Sequence, residues 1–266
     1  MAAGKRWTRD ELLVALNLYH KLTFGQMDQH TKVIVELAAK LGRTPSSLAM
    51  KLSNLASLDP ALKLRGIKGL AGASNLDKSM WQEFHENLNE AAPASEEAMR
   101  KLVGAREADA MEVVPSKGFQ IRKRPLNDIT EKTALVKQRR GQDYFRNAVV
   151  NNFGGRCGVT QLAIRELLIA SHILPWDSHP TERLNVRNGL CLSRLHDAAF
   201  DQGLIAFDED LRMVLSPALK AALPQKTVTE NFGAYASEPL TLPNDSALPE
   251  AAFLAEHRAK IFKTKK

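Results

Sequence analysis

The sequence has few cysteines, few aromatic residues and no long apolar segment. Only two of its 266 residues are cysteines, Cys157 and Cys191, and 6% are aromatic. Two distant cysteines form no disulfide framework, which fits a reducing compartment, and neither has the CxxC partner that a four-cysteine structural zinc site requires. We therefore expect two buried packing thiols. No run of about 18 apolar residues occurs, so we expect no membrane span.

The first residues, MAAGKRWTRDELL, lack the apolar core of a secretory signal, so we expect a cytoplasmic protein. Acidic residues are outnumbered, with 30 Asp and Glu against 37 Lys and Arg, a formal net charge of +7. A basic chain favours a polyanionic partner such as a nucleic acid.

Residues 1–89 have the pattern of a helical domain. Thr8 can cap a first helix, and Glu11, three residues on, completes a capping box. Apolar residues at helical spacing predict a second helix over residues 31–40 and a third over residues 45–55.

The turn between the second and third helices indicates a helix-turn-helix. Gly42 ends the second helix, Thr44 caps the third, and Pro45 takes the first helical position. The polar outer face of the third helix is short enough to lie in a major groove, where Lys51 and Asn54 would reach furthest. The alternative is a plain three-helix bundle with a solvated face.

Residues 90–140 are predicted to be a linker that ends in a basic arm. Large apolar residues are few there, and residues 117–140 hold eight basic residues against two acidic ones, a net charge of +6. Such a segment can lie along a nucleic-acid backbone and neutralise phosphates, although a plain linker is an equal alternative. The candidate phosphate contacts of the arm are Arg122, Lys123, Arg124, Arg139 and Arg140.

Residues 141–266 have the pattern of a second domain, built from short strands and helices. The predicted elements are a helix over 142–150, strands over 156–160, 166–173 and 188–192, a helix over 194–202, a hairpin over 204–215 and a closing helix over 249–262.

One strand of this domain ends in His172, the next is led by Asn188, and the following helix carries His196, Asp197 and Asp201. This order resembles the HNH endonucleases, in their restriction-type branch. The resemblance covers about residues 131–262 and rests on RRGQDYFR, RCGVTQL, ASHILPW, NGLCLSRLHDAAFDQGLI and FLAEHRAKIF. More loosely, RWTRDELLVALNLYH and LGRTPSSLAMKLSNLASLDP look like the helical region that often precedes such nucleases. The resemblance implies an α+β protein with a helical N-terminal domain and a C-terminal ββα-metal nuclease domain.

The resemblance also implies roles for two of these residues. His172 would be the general base, because an imidazole with a pKa near neutrality can take a proton from water. The alternative is a buried histidine with a satisfied hydrogen bond. Asn188 would brace the loop and orient His172, although Asn-Gly is also common turn chemistry.

The helix would supply metal ligands from His196, Asp197 and Asp201, and this oxygen-rich set suits Mg²⁺ or Mn²⁺. The family usually places its last histidine nine residues after the asparagine. Here that position is Asp197, and His196 comes one residue earlier. Which of the two binds metal is left open by the sequence.

Arg187 and Arg194 flank this site and could hold phosphates, with ordinary solvated arginines as the alternative. His179, in the polar loop, is expected to be a surface residue.

The resemblance implies a metal-dependent DNA endonuclease in bacterial restriction or another defence role. A homodimer is favoured, because one ββα site cuts one strand. The alternatives are a catalytically silent DNA-binding protein and a nuclease that is triggered by a modified base or a signalling nucleotide. An aromatic-lined pocket in the N-terminal half would favour the modified-base version.

Overall fold

The computed structural model describes residues 5–123 and 133–263. It divides the chain into two compact units, which are Met1–Asn151 (unit 1) and Asn152–Lys266 (unit 2). The boundary lies beyond the expected one near residue 140, because a single helix runs from Thr133 to Asn152. In the described ranges, no helix combines the length and the apolar character that a membrane crossing requires.

Unit 1 is mainly helical and contains one two-stranded antiparallel sheet. Its elements are α1 (Arg9–Tyr19), α2 (Lys32–Lys40), α3 (Pro45–Ala56), α4 (Pro60–Leu64), α5 (Asn75–Glu86), α6 (Leu88–Val103), β1 (Ala110–Val114), β2 (Gly118–Arg122) and α7 (Thr133–Asn152).

The predicted caps of the first three helices are confirmed. Thr8 accepts a hydrogen bond from the Glu11 backbone N–H, and the Glu11 carboxylate accepts one from the Thr8 N–H at 3.0 Å. Gly42 takes a left-handed conformation with φ 63°, which a glycine adopts without strain. Thr44 accepts a hydrogen bond from the Ser47 N–H, and Pro45 opens α3. The order α1, α2, turn, α3 is therefore as predicted.

The expected linker over residues 90–140 is wrong in the part that the structure describes. Its first residues belong to α6, where Glu96 and Met99 are both fully buried. The next part forms the β1–β2 hairpin, which buries Met111 and Val113. This segment packs against the rest of unit 1 with few large apolar residues, because the small side chains of α6 allow a close approach to α1.

The basic arm is also only partly as predicted. Arg122 and Lys123 are exposed at the end of β2, whereas Arg124 lies outside the described residues. Arg139 is half-buried on α7. Arg140 is only 3% exposed, and its Nε donates to the Glu97 carboxylate at 2.9 Å, so Arg140 is not available for phosphate contacts.

Unit 2 combines short strands with short helices. Its elements are β3 (Leu168–His172), β4 (Gly189–Ser193), α8 (Arg194–Asp201), β5 (Ile205–Phe207), β6 (Met213–Leu215), α9 (Pro217–Ala221), α10 (Lys226–Asn231) and α11 (Ala251–Lys260). The β3–β4 and β5–β6 pairs are both antiparallel, and α8 packs against both strands of the first pair. The mixed α+β class is confirmed.

One predicted strand of unit 2 is wrong. Residues 156–160 form a turn instead, in which the Gln161 N–H bonds to the Cys157 carbonyl at 2.9 Å. Cys157 is fully buried, and its sulfur accepts a hydrogen bond from the Ser193 N–H at 3.2 Å. Cys191 is buried as well, so both cysteines are packing thiols, as expected.

A buried ion pair joins α6 to the end of α1 in unit 1. The Lys21 ammonium and the Glu96 carboxylate form a salt bridge, and both side chains have 0% exposure. Asn17 donates to the same carboxylate at 3.1 Å and to the Ser95 hydroxyl at 2.9 Å. A buried charge that loses its partner is costly, so this pair makes the packing of α6 depend on Lys21.

We expect Lys21→Met to lower the free energy of unfolding by about 3–5 kcal/mol, because Glu96 is left buried without its cation. Urea unfolding measures this in a Trp176→Phe chain, whose remaining tryptophans, Trp7 and Trp81, both lie in unit 1. The control is Lys21→Met combined with Glu96→Leu, which removes both charges and should recover most of the loss. A double variant no more stable than the single one would contradict this account.

Candidate active site

His172 is the last residue of β3 and pairs with Gly189 of β4. Its Nε2 lies 2.9 Å from the Arg183 carbonyl oxygen. Because a carbonyl only accepts, Nε2 carries the proton in the neutral ring, and the lone pair is on Nδ1. Burial lowers the pKa of His172, while the bond to the carbonyl acts in the opposite direction. The ring is therefore neutral near pH 7 and able to accept a proton.

Arg183 holds the loop that positions this carbonyl. Its Nε donates to the Trp176 carbonyl at 2.7 Å, and its guanidinium carbon lies 5.1 Å from the centre of the Trp176 ring. The Trp176 ring meets the His172 ring edge-on, with 5.3 Å between centroids. The Arg183 side chain thus holds the loop in which its own carbonyl orients the histidine. The sequence analysis missed Arg183, because one basic residue in a polar loop gives no distinctive signal.

Asn188 is 1% exposed and bonds to the same loop at two places. Its Oδ1 accepts from the Leu174 N–H at 2.8 Å, and its Nδ2 donates to the Glu182 carbonyl at 3.1 Å. These are the bonds that a loop brace requires. Asn188 also ends a short 3-10 turn, Val186–Asn188, whereas Gly189 is extended, with φ −130° and ψ 142°, and begins β4.

His196 does not lie with the two acids of α8. It is 1% exposed, its Nε2 donates to the Asn231 carbonyl at 2.9 Å, and its Nδ1 accepts from the Ser193 hydroxyl at 2.8 Å. Its ring packs 5.2 Å from that of Phe232. Both ring nitrogens are therefore engaged within the protein. The predicted catalytic and metal-binding roles of His196 do not fit this arrangement, in which it is a core residue.

Asp197 and Asp201 lie one helical turn apart on α8, where both are partly shielded from solvent and Asp201 is the more exposed. Burial and the neighbouring Asp197 carboxylate together raise the pKa of Asp201 to about 6. Burial also raises the pKa of Asp197, against the lowering effects of the Ser171 hydroxyl and of Arg194. Mutual repulsion of two carboxylates is the condition that a bound cation relieves.

These carboxylates fit a hard divalent cation better than a zinc ion. Among residues 5–123 and 133–263, no three His, Cys, Asp or Glu side chains are grouped to hold one metal ion. The buried Ser171 hydroxyl lies close enough to Asp197 to lower the pKa of its carboxyl group, and it offers a third oxygen there. Oxygen donors from Ser171, Asp197 and Asp201 suit Mg²⁺ or Mn²⁺.

The two arginines expected to flank this site differ in their availability. Arg187 is tied to the start of α11, because its Nη1 lies 2.7 Å from the Glu250 carboxylate and its Nε donates to the Leu248 carbonyl at 3.1 Å. Arg194 is exposed at the first residue of α8. His179, expected to be a surface residue, is half-buried, and its Nε2 lies 2.9 Å from the Glu256 carboxylate.

The two base-reading residues expected in unit 1 also differ from expectation. Lys51 is 7% exposed, and its Nζ lies 2.8 Å from both carboxylate oxygens of Asp77. A buried and fully paired lysine does not reach a DNA groove, so that assignment is wrong. Asn54 is half-buried on the outer face of α3.

A model of a protein family described as "HNH endonuclease" matches residues 157–208. The matched region contains β3, β4 and α8, and with them His172, Asn188, Asp197 and Asp201. It confirms the resemblance over this part of the chain. A search of curated proteins found no significant match.

We expect Asp197→Asn to lower the pKa of Asp201 from about 6 toward the ordinary value of an aspartate, because the repulsion ends. The fall should be partial, since burial of Asp201 persists. Carbon-13 NMR titration of the side-chain carboxyl measures it, with Asp208→Asn, in the β5–β6 turn, as the matched control. An unchanged or higher pKa in Asp197→Asn would show that the two carboxylates do not interact.

Proposed function

We propose that the chain cuts DNA by metal-dependent hydrolysis of phosphodiester bonds, because residues 157–208 match the model of a family described as "HNH endonuclease". The observation that carries the proposal is the geometry around His172. Its Nε2 donates to the Arg183 carbonyl, so the neutral ring carries its basic lone pair on Nδ1.

In this mechanism, Nδ1 of His172 takes a proton from the water that attacks the phosphorus atom. The lowered pKa of His172 keeps the ring unprotonated before the step. The Arg183 carbonyl then stabilises the imidazolium, because it accepts the Nε2–H bond throughout. Asn188 and Arg183 keep water, histidine and phosphate in register by holding the loop, which is an orienting contribution.

Asp197 and Asp201, with the Ser171 hydroxyl, would hold Mg²⁺ or Mn²⁺. When bound, such a cation neutralises charge on the phosphate and stabilises the leaving oxygen. The carboxylates must be unprotonated to bind it. Because the pKa of Asp201 is raised to about 6, we expect cation affinity to fall as the pH drops through this value.

Unit 1 would select or position the DNA. The order α2, turn, α3 supports a helix-turn-helix arrangement, and the chain's net charge of +7 supports a polyanionic partner. Exposed Arg122, Lys123 and Arg194 are the phosphate contacts we propose. A restriction or other defence role in a bacterial cytoplasm, and a dimer that cuts both strands, belong to the same proposal.

Two alternatives remain from other classes. A catalytically silent DNA-binding protein would have no use for the bonds that orient His172, so the intact geometry argues against it. A nuclease triggered by a modified base or a nucleotide requires a pocket in unit 1. It is favoured by a cavity of about 370 Å³ beside Trp7.

We expect the purified chain to nick or linearise supercoiled plasmid in Mg²⁺ or Mn²⁺, and His172→Ala to slow this by about 10²–10⁴-fold through loss of the general base. Gel electrophoresis over time measures the rate. His179→Ala is the matched control, because it removes an imidazole from the same loop and should keep the wild-type rate. Failure to cut methylated, unmethylated or single-stranded DNA with either cation would exclude the endonuclease. Equal rates for the two histidine variants would exclude His172 as the base.

A further inference from the structure

The outer face of α3 bears a cavity that the nuclease domain does not explain. Its volume is about 370 Å³, at the small end of the range of roughly 300–1,000 Å³ for ligand pockets. Two apolar side chains and several uncharged polar ones line it, and they include Trp7, Met50, Ser46, Ser47 and Asn54. The lining is therefore suited to a small, flat and polar-edged group.

The charge of the lining does not favour phosphate as the occupant. Lys51 also lines the cavity, but its ammonium is paired with both oxygens of the buried Asp77 carboxylate at 2.8 Å. Binding of a phosphate needs a cation that is not already neutralised. A neutral heterocycle carries no such requirement.

The aromatic wall of the cavity is fixed in place before any ligand arrives. The Arg43 guanidinium carbon lies 3.9 Å from the Trp7 ring centroid, a cation–π contact. Arg43 is itself anchored by the Glu11 carboxylate at 2.7 Å and by the carbonyls of Lys5 and Arg6 at 3.0 and 2.9 Å. An indole held in this way loses little conformational freedom on binding, which favours affinity.

One face of α3 contributes both polar and apolar side chains to the cavity. Ser47, Met50 and Asn54 follow each other at spacings of three and four residues, so they share one face of α3. The hydroxyls and the amide both donate and accept hydrogen bonds, which matches the mixed edge of a nucleobase.

We propose that this cavity takes one nucleobase of the bound DNA, unstacked from its neighbours. The ring would lie against Trp7 and Met50, and its edge would face Ser47 and Asn54. A stacked base shows only its edge in a groove, so it must leave the stack to enter a cavity. The proposal rests on the proposed function, which supplies DNA as the partner.

Trp7 itself reports whether a base enters. The chain has three tryptophans, so Trp81→Phe and Trp176→Phe leave Trp7 alone, and His172→Ala prevents cutting. Two short DNA duplexes are compared, one fully matched and one that carries a single unpaired base. We expect Trp7 emission to be quenched by the duplex with the unpaired base at concentrations where the matched duplex has little effect. Circular dichroism of each variant verifies folding.

Filling the cavity gives an independent test. Met50 is 57% exposed, so Met50→Trp can add a large ring there without disturbing the core. In the His172→Ala chain, anisotropy of labelled DNA should show about 5- to 150-fold weaker binding of the unpaired-base duplex, as loss of one stacked base implies, with matched DNA unaffected. Leu64→Trp is the control, because Leu64 is 90% exposed on α4 outside the cavity, and it should bind both duplexes as the parent does.

The outcomes separate this proposal from the nuclease. Equal quenching by both duplexes, no binding of either, or unchanged affinity in Met50→Trp would overturn the base site even if the wild-type chain cuts plasmid. Selective loss of the unpaired-base duplex in Met50→Trp would support the base site even if no plasmid is cut.

Discussion

The hydrogen bond from His172 Nε2 to the Arg183 carbonyl is the interaction on which the site depends. It fixes the tautomer of the histidine and joins the end of β3 to a loop that has no sheet of its own. The position of this carbonyl depends on the loop being held in place. Asn188 bonds to the backbone of Leu174 and Glu182, and the Arg183 side chain bonds to the Trp176 carbonyl. The orientation of one imidazole thus depends on several bonds to backbone groups.

The helix α8 has a buried face that packs into the core and a more exposed face that carries the candidate metal ligands. His196 and Phe200 lie on its buried side, where the imidazole bonds to the Asn231 carbonyl. Asp197 and Asp201 lie on the adjacent, more exposed side, where the Asp197 carboxylate contributes to the raised pKa of Asp201. A helix turns by about 100° per residue, so a shift of one position along α8 can move a side chain from the buried face to the exposed one. His196 and Asp197, although consecutive, therefore have different surroundings.

Local signals in the sequence predicted the features that local chemistry controls. The Thr8 and Thr44 caps and the strand that ends at His172 depend on residues only a few positions away. Long-range partners decided the rest. Lys51 lies among polar residues and was expected to be exposed, but it is buried and paired with Asp77, 26 positions later. His196 is likewise held in the core by a hydrogen bond to the Asn231 carbonyl, 35 positions away. Periodicity within one helix carries no record of such partners.

A count of basic residues also overstates how many cations are available to bind a nucleic acid. The segment 117–140 looked like a phosphate-binding arm, yet Lys137 pairs with Glu90 and Arg140 with Glu97, so part of its charge is used within unit 1. Contacts with phosphate then depend on fewer cations than composition suggests. If the chain binds DNA as proposed, neutral contacts can supply the part of the affinity that paired cations do not. The cavity beside Trp7, whose one lysine is paired with Asp77, offers such contacts.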